Sequence, residues 1–579
     1  MLFQKDKKLK NAVNSLEHKY DKEQINNFLI ENINYEFNDK VFLNKDIFND
    51  LDIFNNDNTE INIFDKLNFT KTLFGKYYLK NLLQNPTFNY QILNKRQNFI
   101  KSLILNKNII EISNTIDELK DIESNLIWFW KYEDFDGKNI DNLLFYNYYL
   151  LKAVNDKLND NNIIMNISSF YSIYLNSVSF IFNPLLTILI PIIISKIYFR
   201  NTLNIPISSM FKFVFNSLIS SPIYLNVNNY IISLILKSIY YVLYLNSIYT
   251  TIYLCICKYS MVCSIKDKVN SVNKIVSSYI KFENLLTLDQ QKYLKNNDYI
   301  EILFLDNHNI GFFNIGNILT QMRNIIKNRN KLINYIKYFG KLDGYLSIIK
   351  NLINNQFNNN QISLANFDIN DNKMISYSYE ITHPLLNNSQ KNNIKLNGNK
   401  FKIGIITGPN ASGKSTFIKM ITINALFSQS WGISFTKNNL VSIYKYINTF
   451  MRINDEVGKQ SLFQMEIKRC REILDVIKSK NKNDKCLFVI DEIFSSTNSK
   501  SGLLGAKELL QKLENYNNIF VYLTTHYYEL NNLGKFIKNF QFDCNLDDNN
   551  EIIYNYKIKK GLNTKNIGYK LIKEKLFEF

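Results

Sequence analysis

The chain has no two cysteines at CxxC spacing: its six, Cys255, Cys257, Cys263, Cys470, Cys486 and Cys544, are scattered, which excludes the usual structural zinc site. They read as buried thiols. The charged N-terminus, MLFQKDKKLK, lacks the apolar core of a secretory signal, so the soluble part is expected inside the cell, facing a reducing compartment. Charge is missing from three stretches in the middle of the chain: Asn161 to Ser195, Phe213 to Leu236, and Ser238 to Cys257. Each is long enough to cross a bilayer. Arginine is scarce beside Asn, Ile, Lys and Tyr, a bias expected of AT-rich coding that inflates apparent low complexity.

At 579 residues the chain exceeds one ordinary core, and about three or four units are expected. Hydrophobic residues at 46% and charged residues at 21% describe a folded, globular protein. The net charge of +18 favours an anionic partner, a nucleic-acid backbone or an anionic membrane surface, and the lysine bias accounts for part of it equally well.

Five segments follow from the pattern. Residues 1–46 read as a polar, helix-prone extension. Residues 47–160 read as the first part of a helical core, with Leu79, Leu82 and Leu83, then Ile92, Leu93 and Phe99, at helical spacing and a break at Pro86. Residues 161–262 form an apolar helical region of candidate transmembrane segments. Its most apolar portion, FIFNPLLTILIPIIIS, carries Pro184 and Pro191 and is followed by Lys196 and Arg200, as interfacial cations would be. The competing reading is a helical hairpin buried in a soluble core, which the interrupting Asn, Ser and Tyr residues, Asn226, Asn228 and Asn229 among them, support. Residues 263–356 read as a second helical part with a solvated basic face. After the Asn-rich NNQFNNNQ, residues 357–579 read as an α/β domain.

Chemistry concentrates in that last segment. Gly408, Pro409, Asn410, Ala411, Ser412, Gly413, Lys414 and Ser415 satisfy GxxxxGK[ST], behind the strand-like KIGIIT and ahead of a helical run that begins at Thr416. Such a P-loop cradles phosphates on backbone N–H groups; Lys414 adds a point charge at the β and γ phosphates, and Ser415 offers a hydroxyl to Mg²⁺. CLFVIDEI ends an apolar strand in Asp491, expected to hold Mg²⁺, and Glu492, placed to polarise the attacking water. NIFVYLTTH ends in His526, which could reach the γ phosphate. Three strands ending in these groups predict one site at one edge of a parallel sheet.

Together these residues resemble the ATPase of the MutS family of DNA mismatch-repair proteins. TGPNASGKST at 407–416 is similar to the family's TGPNxxGKST, DEIFSSTNSKSG at 491–502 to DEIGRGTSTxDG, THYYEL at 525–530 to THYFEL, and THPLL at 382–386 to its RHP segment. GKQSLFQMEIKR at 458–469 resembles the signature segment through which a serine, here Ser461, completes the partner's nucleotide site, with Phe463 and Glu466 at its aromatic and acidic positions. KIKKGLNTKNIGYKLI at 557–572 resembles the last ATPase strand and helix, and residues 47 to about 130 the start of the family's core and lever. The resemblance implies a helical core and lever region followed by a C-terminal α/β P-loop ATPase domain of ABC type. It further implies ATP and Mg²⁺ as cofactors, Glu492, Lys414 and His526 as catalytic residues, and a homodimer or heterodimer joined through the ATPase heads. Double-stranded DNA would be the partner, in the cytoplasm or at the site of replication.

The departures are as informative. No room for a mismatch-recognition domain precedes residue 47, the family's DNA clamp would fall in the uncharged runs, and the chain stops just after the last ATPase helix, so dimerisation would rest on the nucleotide sites. Ile394 stands where an adenine-stacking aromatic is expected, and Phe494, Ser495 and Ser496 replace Gly-Arg-Gly. Two readings follow: an ATP-dependent DNA-binding protein of mismatch repair or recombination, or a membrane-anchored ATPase, held through residues 173–257, that does not act on mismatched DNA.

Overall fold

A computed structural model describes residues 19–54, 61–132, 152–175, 230–295, 314–354, 361–369, 374–387, 389–451, 462–546 and 552–562, with a few isolated positions besides. The chain forms two compact units, one of Met1–Phe28, Asp121–Lys281 and Ile300–Tyr335, the other of Leu29–Lys120, Phe282–Tyr299 and Ile336–Phe579. The helices that matter are α1 (Leu73–Gln84), α2 (Tyr90–Ile104), α3 (Glu123–Lys131), α4 (Asn162–Phe170), α5 (Tyr230–Leu285), α6 (Leu288–Lys295), α7 (Ile315–Lys327), α8 (Arg329–Asn354), α9 (Lys414–Ser430), α10 (Leu462–Ser479) and α11 (Ser499–Glu514).

The described part of the first unit is helical. Asn161 caps α4 by accepting hydrogen bonds from the amides of Ile163 and Ile164. The helix then lies against α7, where the Asn166 and Asn317 side chains pair at 2.9 Å and the backbones come so close that a Cβ on Gly316 would sit 2.2 Å from the Asn166 nitrogen. The start of the first uncharged run is thus a helix packed on one face against α7, where its asparagines find partners, while Ile163 and Ile167 on the other face are exposed. The remainder of that run from residue 176, and the second run as far as residue 229, lie outside the described residues, while the end of the second opens α5. The third runs along α5, whose 56 residues make a rod of about 84 Å. Met261, Ile265, Val269, Val272, Ile275 and Tyr279 on α5 are buried at helical spacing, whereas Val242, Leu245, Tyr249, Ile252, Ile256 and Tyr259 are exposed. Among the described residues, Leu245–Leu285 is the helix long and apolar enough to cross a membrane by length and composition, with a mean hydropathy of 1.4 in its most apolar window.

The second unit joins helices to a mixed sheet. Apart from a short pair, Ser363–Leu364 with Ile433–Ser434, its strands are β1 (Phe42–Leu43), β2 (Phe367–Asp368), β3 (Ile375–Ile381), β4 (Asn392–Asn397), β5 (Ile403–Thr407), β6 (Asn438–Ser442), β7 (Tyr446–Phe450), β8 (Cys486–Asp491), β9 (Ile519–Thr524), β10 (Ile537–Leu546) and β11 (Ile552–Lys560). Seven of them form the main sheet in the order β1-β7-β8-β9-β5-β10-β11, parallel throughout except for the antiparallel β10–β11 pair. β2, β6, β3 and β4 form a second sheet in that order. Every residue of β5 and β9 is buried, as expected of central parallel strands covered on both faces. On one face Ile405, Phe488, Ile490, Val521 and Leu523 pack with Cys470, Ile473 and Ile477 of α10 and Leu509, Leu510 and Leu513 of α11.

Two features differ from the sequence reading. Phe42 and Leu43, expected in a helical extension, pair with Tyr446 and Ile447 as the edge strand of the main sheet; two residues are too few to show strand periodicity. The segment read as the first helical part, 47–160, is shared between the two units at Lys120, its first portion folding with the α/β domain.

That portion is bound by buried polar contacts to α9. Arg96 on α2, 4% exposed, donates to the Ser430 and Gln429 carbonyls at the C-terminal end of α9, where carbonyls lack helical partners and a cation is favoured. Gln97 donates to the carbonyls of Ala365 (2.6 Å) and Gly432 (2.9 Å), and Gln429 to those of Thr87 and Tyr444. Lys419 of α9 pairs with Asp52 at 2.8 Å.

His383, from the THPLL segment, is buried nearby, and its Nδ1 accepts from the Leu385 amide at 3.2 Å. Burial, with Lys419 and Lys66 close by, lowers its pKa to about 4 despite Asp52. The unfolded chain, with an ordinary histidine, therefore binds a proton that the folded chain refuses, so stability rises with pH between about 4 and 6.5. Acidification through that window is expected to cost up to about 3 kcal/mol. His383→Asn should flatten the slope of the urea midpoint against pH; an unchanged slope would assign the acid limb to other groups.

Candidate active site

Strand register brings the site together. Asp491, the last residue of β8, is level with Thr524, the last of β9, and Thr524 is level with Ile406, next to the end of β5. Beyond these ends lie the turn 408–413, Glu492 and His526, all at the same edge of the sheet.

The turn needs its glycines: Gly413 has φ of +95° immediately before α9, and Gly408 has φ of +154°, values that residues with a Cβ rarely adopt. Lys414, 5% exposed, folds back to donate to the carbonyls of Gly408 (2.9 Å) and Pro409 (3.1 Å), with Glu492 Oε1 at 4.0 Å. Burial lowers its pKa, and Glu492 and Asp491 oppose the shift. Ser412 is 1% exposed and its hydroxyl is buried without a hydrogen-bond partner among the described residues. A buried, unsatisfied hydroxyl beside glycines and the N-terminus of a 17-residue helix fits a cradle for phosphate oxygens.

Asp491 accepts from the Thr524 hydroxyl and is hydrogen-bonded to Ser415. Burial raises its pKa, against those hydrogen bonds and Lys414. An acidic group whose charge is penalised by burial, next to a hydroxyl, is an oxygen donor set that suits a hard divalent cation such as Mg²⁺.

Glu492 has φ of +51° and is held by its amide, which donates to the Thr524 carbonyl and hydroxyl at 3.1 Å each. His526 Nε2 lies 3.1 Å from its Oε1. That hydrogen bond, more than the charge of Lys414, lowers the Glu492 pKa, so the carboxylate is ionised at neutral pH and can accept a proton. Lys414, Glu492 and His526 therefore meet at one point, and Ser415 and Asp491 at another just beside it.

The loop after Glu492 is braced from α10. Glu466, 4% exposed, accepts from Ser496 Oγ at 2.7 Å, and Phe463 meets Phe494 edge-on with ring centroids 6.2 Å apart. Phe494, where the resembling motif has glycine, keeps a left-handed φ of +54°, and its carbonyl accepts from Tyr527 OH at 3.1 Å. Packing and this hydrogen bond offset a backbone strain of order 1 kcal/mol. Ser461 lies outside the described residues, as does the helical part of 557–572.

One residue escaped the sequence reading. Tyr556 of β11 has φ of +49°, is 47% exposed, and stands against the turn: a Cβ on Gly413 would lie 3.2 Å from its ring. Ile394, by contrast, is 2% exposed in the second sheet and offers no face to a ligand. An alternating tyrosine in IIYNYKIKK carries no local sign that β11 passes the turn.

The description "MutS domain V" matches residues 404–576 and "MutS domain III" matches residues 48–169. The chain belongs to the MutS family. A protein of Prochlorococcus marinus (strain MIT 9312) named "DNA mismatch repair protein MutS" is 34% identical over 274 residues, 44% of this chain and 28% of that protein. One of the same name from Finegoldia magna is 29% identical over 310 residues, 52% of this chain and 34% of that protein. Human "MutS protein homolog 4" is 34% identical over 179 residues, 29% of this chain and 18% of the human protein. This MutS-family chain thus spans about a third or less of the length of the relatives it matches. The domain V match contains Lys414, Ser415, Asp491, Glu492, His526 and Tyr556, and the domain III match contains α1 and α2, which carry the contacts to the far end of α9.

Proposed function

We propose that this MutS-family chain binds and hydrolyses MgATP at the 408–416 turn and couples that cycle to double-stranded DNA in mismatch repair or recombination. The observation that carries the ATPase reading is the meeting of Lys414, Asp491, Glu492 and His526 at the end of three register-matched strands. Gly408 to Thr416 hold the phosphates through backbone amides; Lys414 exchanges the Gly408 and Pro409 carbonyls for phosphate oxygens. Ser415 and Asp491 would hold Mg²⁺, which when bound would supply charge neutralisation for the phosphates. Glu492 orients and deprotonates the attacking water, and His526 positions Glu492 and reads the terminal phosphate. Ser461 completes the site of a second head, in a homodimer or heterodimer. The test is phosphate release from MgATP by the full chain against Glu492→Gln; equal rates would overturn the reading. The family matches favour the DNA reading over the membrane-anchored alternative, because the bacterial relatives are named as DNA mismatch-repair proteins.

Tyr556 supplies the aromatic face that Ile394 cannot, and stacks on the base of the nucleotide. Tyr556→Ala is expected to raise KM for ATP about tenfold with kcat changed little, while Tyr556→Phe stays near wild type. Steady-state kinetics in ATP and GTP would check this; an alanine variant with unchanged KM would remove the stacking role.

A further inference from the structure

The main sheet has a second, opposite edge, and a cleft of about 1000 Å³ opens there. It is bounded by Lys402 and Ile519, adjoining or starting β5 and β9, by Phe536 just before β10, and by the end of α10 with the loop that follows. Strands of five or six residues separate it from the 408–416 turn, a span of about 17–20 Å, so nothing bound there shares atoms with the nucleotide.

The lining contains four lysines, Lys402, Lys478, Lys480 and Lys482, six asparagines, and no acidic residue. Two of the lysines are built into the floor. Lys402 Nζ donates to the carbonyls of Glu514 (3.2 Å) and Tyr516 (3.0 Å) and to Asn517 Oδ1, and lies over the ring of Phe536 at 4.6 Å. Lys480 Nζ donates to the carbonyls of Asp484 and Asn517. Two carboxylates border the lining and are both bonded within it or beside it: Asp484 pairs with Lys445 at 3.0 Å and accepts from the Asn481 amide at 3.1 Å, and Glu514 accepts from the Phe536 amide at 2.9 Å, which leaves Lys478 and Lys482 as the cations facing outward. Asn518 anchors the loop through the Lys482 carbonyl at 2.9 Å. Lys478 and Lys482 are left exposed on the rim, beside the exposed side chains of Asn481, Asn483 and Asn515.

We infer that this cleft binds a stretch of nucleic-acid backbone. Ammonium groups and neutral amide donors spread over an open cleft suit a run of phosphodiesters, whose oxygens accept from both and need no base-specific pocket. A protein partner would need an apolar anchor pocket, and the two aromatics here are engaged, Phe536 under Lys402 and Tyr516 against the core. The inference rests on the DNA part of the proposed function and gives it a location other than the uncharged middle of the chain.

The experiment is fluorescence polarisation of a labelled duplex with the full chain across a salt series, comparing wild type with Lys478→Glu/Lys482→Glu and with Lys478→Arg/Lys482→Arg. The glutamate variant is expected to bind at least about tenfold more weakly, with a salt slope about two units shallower, and the arginine variant to match wild type. KM for ATP should be the same in all three, which separates loss of the cleft from misfolding. Wild-type binding with an unaltered affinity and slope in the glutamate variant overturns the cleft and leaves the DNA reading intact. No salt-sensitive binding by wild type overturns both. Polyglutamate displacing the duplex at equal charge concentration would assign the cleft to acidic peptides instead.

Discussion

Glu492→Gln is expected to lower phosphate release from MgATP by about 10²–10³-fold while ATP binding is retained. The amide keeps the size of the carboxylate and can still hydrogen-bond His526, so the turn, Lys414 and Asp491 keep their places. It cannot accept a proton from water. The wild-type carboxylate is suited to do so because His526, 3.1 Å away, and Lys414 hold it ionised. Single-turnover phosphate release together with equilibrium binding of a fluorescent ATP analogue separates the two effects. A fall of only about threefold, or parallel loss of binding and turnover, would place the base elsewhere.

The second large effect is on stability. Arg96→Met should cost about 3 kcal/mol, because it deletes a buried cation from carbonyls that have few other donors. The Ser430 carbonyl would lose its guanidinium, although Gln429 would keep the Thr87 amide at 2.9 Å. Around the same guanidinium Tyr293, Tyr345 and Tyr78 link their hydroxyls at 2.6 and 3.2 Å, and burial pushes the phenols of Tyr78 and Tyr293 up, so they remain neutral donors and acceptors. Arg96→Lys keeps the charge but not the fork and should fall between. The urea midpoint of the α/β unit measures both; a methionine variant within about 1 kcal/mol of wild type would show that the α9 end is satisfied without α2.

What was legible in the sequence divides along a physical line. The strands ending at Thr407, Asp491 and Thr524 announce themselves because their apolar residues are contiguous and their polar groups follow immediately. A central parallel strand, buried on both faces, writes itself as an unbroken apolar run. Arg96 was hidden in a helix pattern, since a buried cation is only interpretable beside the carbonyls it meets more than three hundred residues later. Tyr556 was hidden for the same reason, its significance lying in the turn it stands against. At the start of the first uncharged run composition alone was silent: apolar content without charge cannot distinguish lipid from a partner helix, and the structure shows one face of α4 meeting α7 through the Asn166–Asn317 pair.

The two-residue strand β1 has a bearing on how this molecule can be cut. Phe42, exposed at 54%, stacks on Tyr446 at 4.9 Å, and Asn44 ties its side chain to the Thr449 backbone at 3.0 Å. A fragment begun at the linker before residue 361 would leave β7 as a bare flank, with unpaired amides and carbonyls facing outward as a template for stray strands. The α/β part of the chain is therefore not a detachable module: a segment more than three hundred residues upstream finishes its sheet and keeps it from joining its neighbours.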